Sequence, residues 1–228
     1  MSTPVKFRIK NDTNGPRRLV LFQQDRSAEG GKPATGHLSF VLAVKPLAHG
    51  GYWDYQLPPG ALQVAGMIQS ETSGTSSTSN IEEAVYGDCW EIRQQPGEEL
   101  DIKRSSSHGP EGAIQIVNLV EAGLGPRLAT LHRGENPVLG FKLEPGNDVC
   151  FSLQLALYVA EVEAKDYAMG QVLRPQTIAS ALCIPYASFE SVDVHMARIV
   201  SDATGKHSLE IKRTLREELR APQTLEEA

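Results

Sequence analysis

Five cations fall within thirteen residues near the start of the chain: Lys6, Arg8, Lys10, Arg17 and Arg18. The first three alternate with Val5, Phe7 and Ile9. If the segment is extended, Lys6, Arg8 and Lys10 share one face and the apolar side chains share the other. A cationic face of this kind suits an anionic ligand or an acidic patch on a partner. The same pattern also marks a charged edge strand that resists aggregation, and this is the simpler reading. Nucleic-acid binding would call for aromatic side chains interleaved on the cationic face, and Phe7 points to the other side. Tyr52 is the second candidate. In Tyr52 to Leu57 an extended chain places Tyr52, Asp54 and Gln56 on one face and Trp53, Tyr55 and Leu57 on the other. The second set reads as core. Tyr52 stays available for a ligand, since binding surfaces are enriched in tyrosine. The candidate ligand-binding set is therefore Lys6, Arg8, Lys10 and Tyr52.

Other chemistry-bearing residues do not assemble into a site. His49-Gly50-Gly51 could contribute to an oxyanion hole, but no Gly-x-Ser-x-Gly nucleophile turn accompanies it, so it reads as a glycine turn. Asp193 and His195 would share a strand face, yet a metal site needs at least a third ligand. The remaining histidines, His37, His49, His108, His132 and His207, are scattered singly. Gly109-Pro110-Glu111-Gly112 and Gly123 to Arg127 are glycine-rich but lack the strand-then-helix setting and the lysine of a phosphate-binding loop. Glu82-Glu83, Glu98-Glu99 and Glu217-Glu218 are adjacent pairs. Glycosidase chemistry needs two carboxyls facing each other across a cleft, and neighbours on a strand point apart. The expectation is a protein without catalytic residues, metal or cofactor.

The elements that must position these residues are strands. Period-two alternation dominates the chain. Val5 to Lys10 and Leu19 to Gln24 flank the turn-forming run Asn11 to Pro16 and predict a hairpin. Further strands are expected over Leu38–Lys45, Tyr52–Leu57, Leu62–Ile68, Cys89–Arg93, Leu100–Lys103, Ala113–Val117, Leu128–His132 and Val138–Leu143. Val149–Val159 carries the clearest pattern, with Phe151, Leu153, Leu155 and Leu157 on one side. Thr177–Ile184, Ser191–Val200 and Ser208–Lys212 follow, the last two joined by a turn at residues 202–206. Residues 25–36, 70–80 and 105–111 read as polar loops. Thr214–Ala221 is the one helical stretch, stopped by Pro222. About a dozen short strands with frequent turns predict an all-β antiparallel β-sandwich with one short C-terminal helix. Residues 1–212 form a single domain in this reading, and 213–228 a helix and tail.

Composition agrees. A chain of 228 residues with 40% hydrophobic and 22% charged residues can bury a real core and is not a disordered chain. The net charge of −6 argues against bulk attraction to nucleic acid or anionic lipid. No apolar run approaches the length of about 18 residues needed to span a membrane. No signal-peptide core opens the chain, so synthesis in the cytoplasm is expected, with leaderless export as the route outward. Three widely spaced cysteines do not make a disulfide framework, and Cys150 and Cys183, in apolar runs, are expected to be buried thiols.

The order of these features resembles the rhizosphere-expressed proteins known as RhiA-like, found in plant-associated and other bacteria. Val5 to Thr13 followed by Leu19-Val20-Leu21-Phe22-Gln23-Gln24-Asp25 is similar to that family's opening pair of strands. Leu38 to Pro46 looks like its next strand. Phe141 to Leu143, Val149 to Val159, Tyr167 to Leu173 and the closing pair from Ser191 to Ile211 resemble its last strands in order. The resemblance spans most of residues 3 to 212. It implies a β-sandwich and supplies no catalytic residues to carry over. The leading expectation is a non-enzymatic protein of surface recognition, in contact between a bacterium and its host or surroundings, with a protein or carbohydrate as ligand. Two other readings stand beside it: a membrane-active, pore-forming-like β module, and a self-assembling structural protein that forms homo-oligomers.

Overall fold

Strands form where apolar and polar residues alternate. The computed structural model describes residues 5–26, 36–58, 61–69, 76–163, 167–186, 194–202, 204 and 206–214. Its strands are β1 (Lys6–Asp12), β2 (Arg17–Phe22), β3 (His37–Ser39), β4 (Ala43–Leu47), β5 (Tyr52–Gln56) and β6 (Leu62–Gln69). Next come β7 (Ser76–Thr78), β8 (Glu82–Ala84), β9 (Asp88–Arg93), β10 (Asp101–His108), β11 (Ile114–Asn118) and β12 (Arg127–Arg133). The last are β13 (Asn136–Leu143), β14 (Asp148–Phe151), β15 (Ala156–Glu161), β16 (Leu182–Pro185), β17 (Val194–Ser201) and β18 (His207–Thr214). A short helix, α1 (Pro175–Ala179), lies between β15 and β16. The fold is all-β and sandwich-like, as the periodicity predicts.

Among the described residues the strands make four sheets. Their orders are β18-β17-β1-β5, β16-β15-β2-β4, β10-β9-β11-β14 and β3-β13-β12-β6, the last with β7 and β8 along the free side of β6. Pairing is antiparallel except between β1 and β17 and between β9 and β11. One large core gathers the inward residues of all four sheets, among them Phe7, Ile9, Leu21, Ile92, Ile116, Leu131 and Phe151. Each such side chain contributes about 1.5–3 kcal/mol by leaving water. In the β16-β15-β2-β4 sheet the central strands β2 and β15 are buried on both faces. Leu19 and Leu21 enter the large core, while Val20 and Phe22 enter a second one with Tyr158, Tyr167, Leu173 and Ile178. Phe22 and Tyr158 stack there with ring centroids 5.4 Å apart.

The first two strands do not form the expected hairpin. β1 pairs with β17 and β5, and β2 pairs with β15 and β4. Asn11 makes the corner between the two sheets. Fully buried, it donates from Nδ2 to the carbonyls of Gly15 (2.9 Å), Leu47 (2.9 Å) and Ala48 (3.1 Å). Its Oδ1 accepts from the Thr13 amide (3.1 Å) and hydroxyl (2.6 Å). These bonds satisfy the backbone where the chain leaves one sheet for the other. β1 is consequently an interior strand, which corrects the edge-strand reading.

Other expectations change for the same reason, a chain that switches sheets. Residues 38–45 divide into β3 and β4, in different sheets. Residues 149–159 divide into β14 and β15, and Leu155 at the crossing is 39% exposed instead of core. Residues 177–184 divide into α1 and β16. Pro175 opens α1 at a first-turn position that suits its fixed φ, and Ile178 packs into the second core. Two supposed loops carry strand: Ser76–Thr78 pairs with β6, and β10 continues to His108. β17 and β18 pair antiparallel, as the predicted hairpin requires. Thr214 closes β18, so strand runs past the expected limit at 212, and the helix expected beyond Thr214 lies outside the described residues. Cys89 is buried, but Cys150 is half-buried and Cys183 is exposed, because its side chain takes the outward position of β16, an edge strand. Among the described residues no helix is long and apolar enough to cross a membrane.

Candidate functional site

The β18-β17-β1-β5 sheet brings all four candidate residues to one outer face. Register places Lys6 beside Gln56, Arg8 beside Asp54 and Lys10 beside Tyr52. On the other flank Arg8 lies beside Met196, and Lys10 beside Arg198, which in turn lies beside Glu210. The alternation that puts Phe7 and Ile9 in the core turns these side chains outward. Tyr52 is 41% exposed. The Arg8 guanidinium lies 5.8 Å and the Lys10 ammonium 5.5 Å from the centre of its ring, within cation–π range.

Carboxylates on β5 and at the end of β1 itself neutralise much of the charge of the three cations. Arg8 donates to the Asp54 carboxylate through Nε (2.6 Å) and Nη2 (2.9 Å). These bonds hold Asp54 below the usual carboxylate range and raise Arg8 in turn. Lys10 pairs with Asp12 at 2.9 Å, and Arg198 bridges Asp12 (2.6 Å) and Glu210 (3.3 Å). Partial burial works to raise Asp12, but the hydrogen bonds from Lys10 and Arg198 outweigh it and lower it. Lys6 makes no ion pair among the described residues. Among the described side chains the face therefore carries four cations, Lys6, Arg8, Lys10 and Arg198, and three carboxylates, Asp12, Asp54 and Glu210, around an exposed tyrosine.

Arg17 and Arg18 go elsewhere. Arg18 Nη2 reaches the Tyr167 carbonyl at 3.4 Å. Arg17 lines a cleft of about 490 Å³ between β2, β15, the end of α1 and the start of β18. Its floor is apolar: Leu19, Val159, Leu182 and Ile199. Its rim carries Arg17, Glu161, Lys206 and His207. Arg17 Nη1 donates to Glu161 Oε1 (3.1 Å), His207 Nδ1 meets Glu161 Oε2 (3.0 Å), and Arg17 Nε donates to Thr13 Oγ1 (3.0 Å). Ser180 also lines the cleft, but its hydroxyl donates to the Thr177 carbonyl at 3.1 Å. No hydrogen bond links Ser180 to His207, so the nucleophile–base contact of a hydrolase is not formed. Glu161 and His207 escaped the sequence reading because 46 residues separate them and neither sits in a motif; an (Arg17, Glu161, His207) grouping exists only after β2 pairs with β15 and β17 turns back into β18.

The remaining candidates resolve as structure. His49 donates from Nδ1 to the Thr13 carbonyl (2.5 Å) in the turn between β4 and β5, where Gly50 has φ of 72°. Asp193 lies outside the described residues. His37 and Asp25 face each other at 3.6 Å, and burial lowers His37 more than Asp25 raises it. Asp25 also accepts the Ser152 amide at 2.8 Å, which ties β2's extension to the end of β14. Among the described residues no group of three or more His, Cys, Asp or Glu side chains is placed to hold a metal ion. Comparison of the chain with protein-family models, curated proteins and solved structures returns no match.

Proposed function

We propose that the protein is a non-enzymatic recognition protein that engages a polar partner through the outer face of the β18-β17-β1-β5 sheet. The observation that carries this reading is Tyr52, exposed on a strand face with Arg8 and Lys10 against its ring. Tyrosine and arginine are the residues that most often anchor interfaces, because they combine contact area with directional hydrogen bonds. Gln56, Asp54, Arg198 and Glu210 around them supply donors and acceptors in alternation, which suits a protein or carbohydrate surface and not an apolar one. Lys6, without an ion pair among the described residues, is the cation readiest to meet a partner's carboxylate. The resemblance to RhiA-like proteins puts such recognition at the contact between a bacterium and its host or surroundings. A glycan array and a cross-linking pull-down should each be run with wild type and Tyr52→Ala. The reading expects a partner that Tyr52→Ala loses by at least about tenfold. It fails if both assays return nothing at high protein concentration, or if Tyr52→Ala and Lys6→Glu bind as wild type does.

A membrane-active role has one observation in its favour. Ile81 (43%), Val85 (61%) and Tyr86 (38%) are all exposed within six residues. Leakage of dye from liposomes, abolished by Val85→Asp, would transfer the proposal to that segment.

A further inference from the structure

We propose that the cleft between β2, β15, α1 and β18 is a second binding site, for a small amphipathic anion with an apolar body and a carboxylate or sulfonate head. Its volume of about 490 Å³ lies within the range of small-ligand sites, about 300–1,000 Å³. Leu19, Val159 and Ile199 belong to the large core, and Leu182 packs against it. The cleft thus opens the edge of the core to the outside, and an apolar body entering it continues packing that is already in place. Small side chains at the end of the helix, Ala179, Ser180 and Ala181, leave the room.

The rim selects the sign of the head group. Arg17 and Lys206 are two cations against one carboxylate, Glu161, and both oxygens of that carboxylate are already engaged, by Arg17 and His207. Arg17 is held by two bonds, to Thr13 and Glu161, yet neither uses Nη2, which has no partner among the described residues. Lys206 makes no ion pair among them. An anionic head meets an oriented guanidinium and the Lys206 ammonium; a cationic head meets only a carboxylate whose oxygens are both engaged. This site shares no residue with the Tyr52 face, so each can fail without the other.

The test uses three probes of equal chain length, each below micelle formation: decanoate, decyltrimethylammonium and decanol, titrated into the full chain and followed by amide shifts in ¹⁵N-labelled protein. Decanoate is expected to move the amides of Ala179, Leu182 and Ile199 and to bind at least tenfold tighter than decyltrimethylammonium. Arg17→Gln should weaken decanoate by about tenfold or more, the loss of hydrogen bonding to a charged group. Ala179→Trp changes an exposed position and should block all three probes while leaving the thermal transition in place. Tyr52→Ala should leave decanoate binding unchanged. The proposal is overturned if decanoate leaves those amides unmoved at millimolar concentration. It is equally overturned if the three probes bind alike, or if Ala179→Trp, folded, binds decanoate as wild type does.

Discussion

Tyr52 and Trp53 are adjacent in β5 and lie on opposite faces of the sheet, Tyr52 41% exposed and Trp53 6%. Trp53 packs in the large core, its ring edge-on to that of Tyr55 with centroids 6.1 Å apart. Trp53→Ala should therefore cost about 3–5 kcal/mol, from lost transfer energy and the cavity left behind. Tyr52→Ala should stay within about 0.5 kcal/mol of wild type. Urea denaturation of both variants checks the contrast; equal losses would mean that the face of β5 is wrongly assigned.

Arg8 and Asp54 form a two-bond ion pair that remains in contact with water, with 31% and 64% of the side chains exposed. A double-mutant cycle on Arg8→Ala and Asp54→Ala should yield about 0.2–1 kcal/mol of coupling, as for other exposed pairs. Raising salt toward 1 M, where the screening length is about 3 Å, should shrink it. Because the folded carboxyl lies below its unfolded value, the coupling should be full at neutral pH. It should fade only in acid, as Asp54 takes up a proton below the usual aspartate range.

His132 should make the fold sensitive to mild acid. It is buried, its Nε2 meets the Thr130 hydroxyl at 2.9 Å and its Nδ1 has no partner among the described residues. Burial pushes it from 6.5 down to about 4. In the folded protein the ring is therefore neutral between those values, while the unfolded chain binds a proton. Stability is lost as pH falls below 6.5, up to about 3 kcal/mol near pH 4. His132→Gln lacks this term. The stability difference between variant and wild type should shift in the variant's favour across that window, and a difference that stays constant with pH would refute the assignment.

The three thiols should react in a set order. Cys183 is exposed, Cys150 half-buried and Cys89 buried. Burial raises the thiol of each, so reaction with a disulfide reagent should be slow near neutral pH and faster above it. Native protein should show Cys183 reacting first, and Cys183→Ser should remove that phase. A fast phase that survives the substitution would place the accessible thiol elsewhere.

Much of the architecture could be read from alternation alone. It located β1, β5, β6, β9, β12 and β13 to within a residue or two and assigned Phe7, Ile9, Trp53 and Leu57 to the inward face. It also put Lys6, Arg8, Lys10 and Tyr52 on water-facing sides, since period two dictates facing before any partner is known. Sheet membership followed no such local rule. β14 and β15 read as one strand because the apolar pattern continues through the crossing, and nothing in it marks that one half joins β11 while the other joins β2.

Partners across a sheet are set by the whole packing, not by any segment. Asp54 becomes the counter-ion of Arg8, and Asp12 and Glu210 those of Arg198, only through the β5, β1, β17 and β18 registers. Asn11 could be read as a turn residue, but its carbonyl partners at Leu47 and Ala48 lie more than thirty positions away. The same holds for Arg17, Glu161 and His207. Residue type and periodicity state what each side chain can do and which way it faces. Long-range strand pairing, driven by burying both faces of β2 and β15 at once, states which side chains meet.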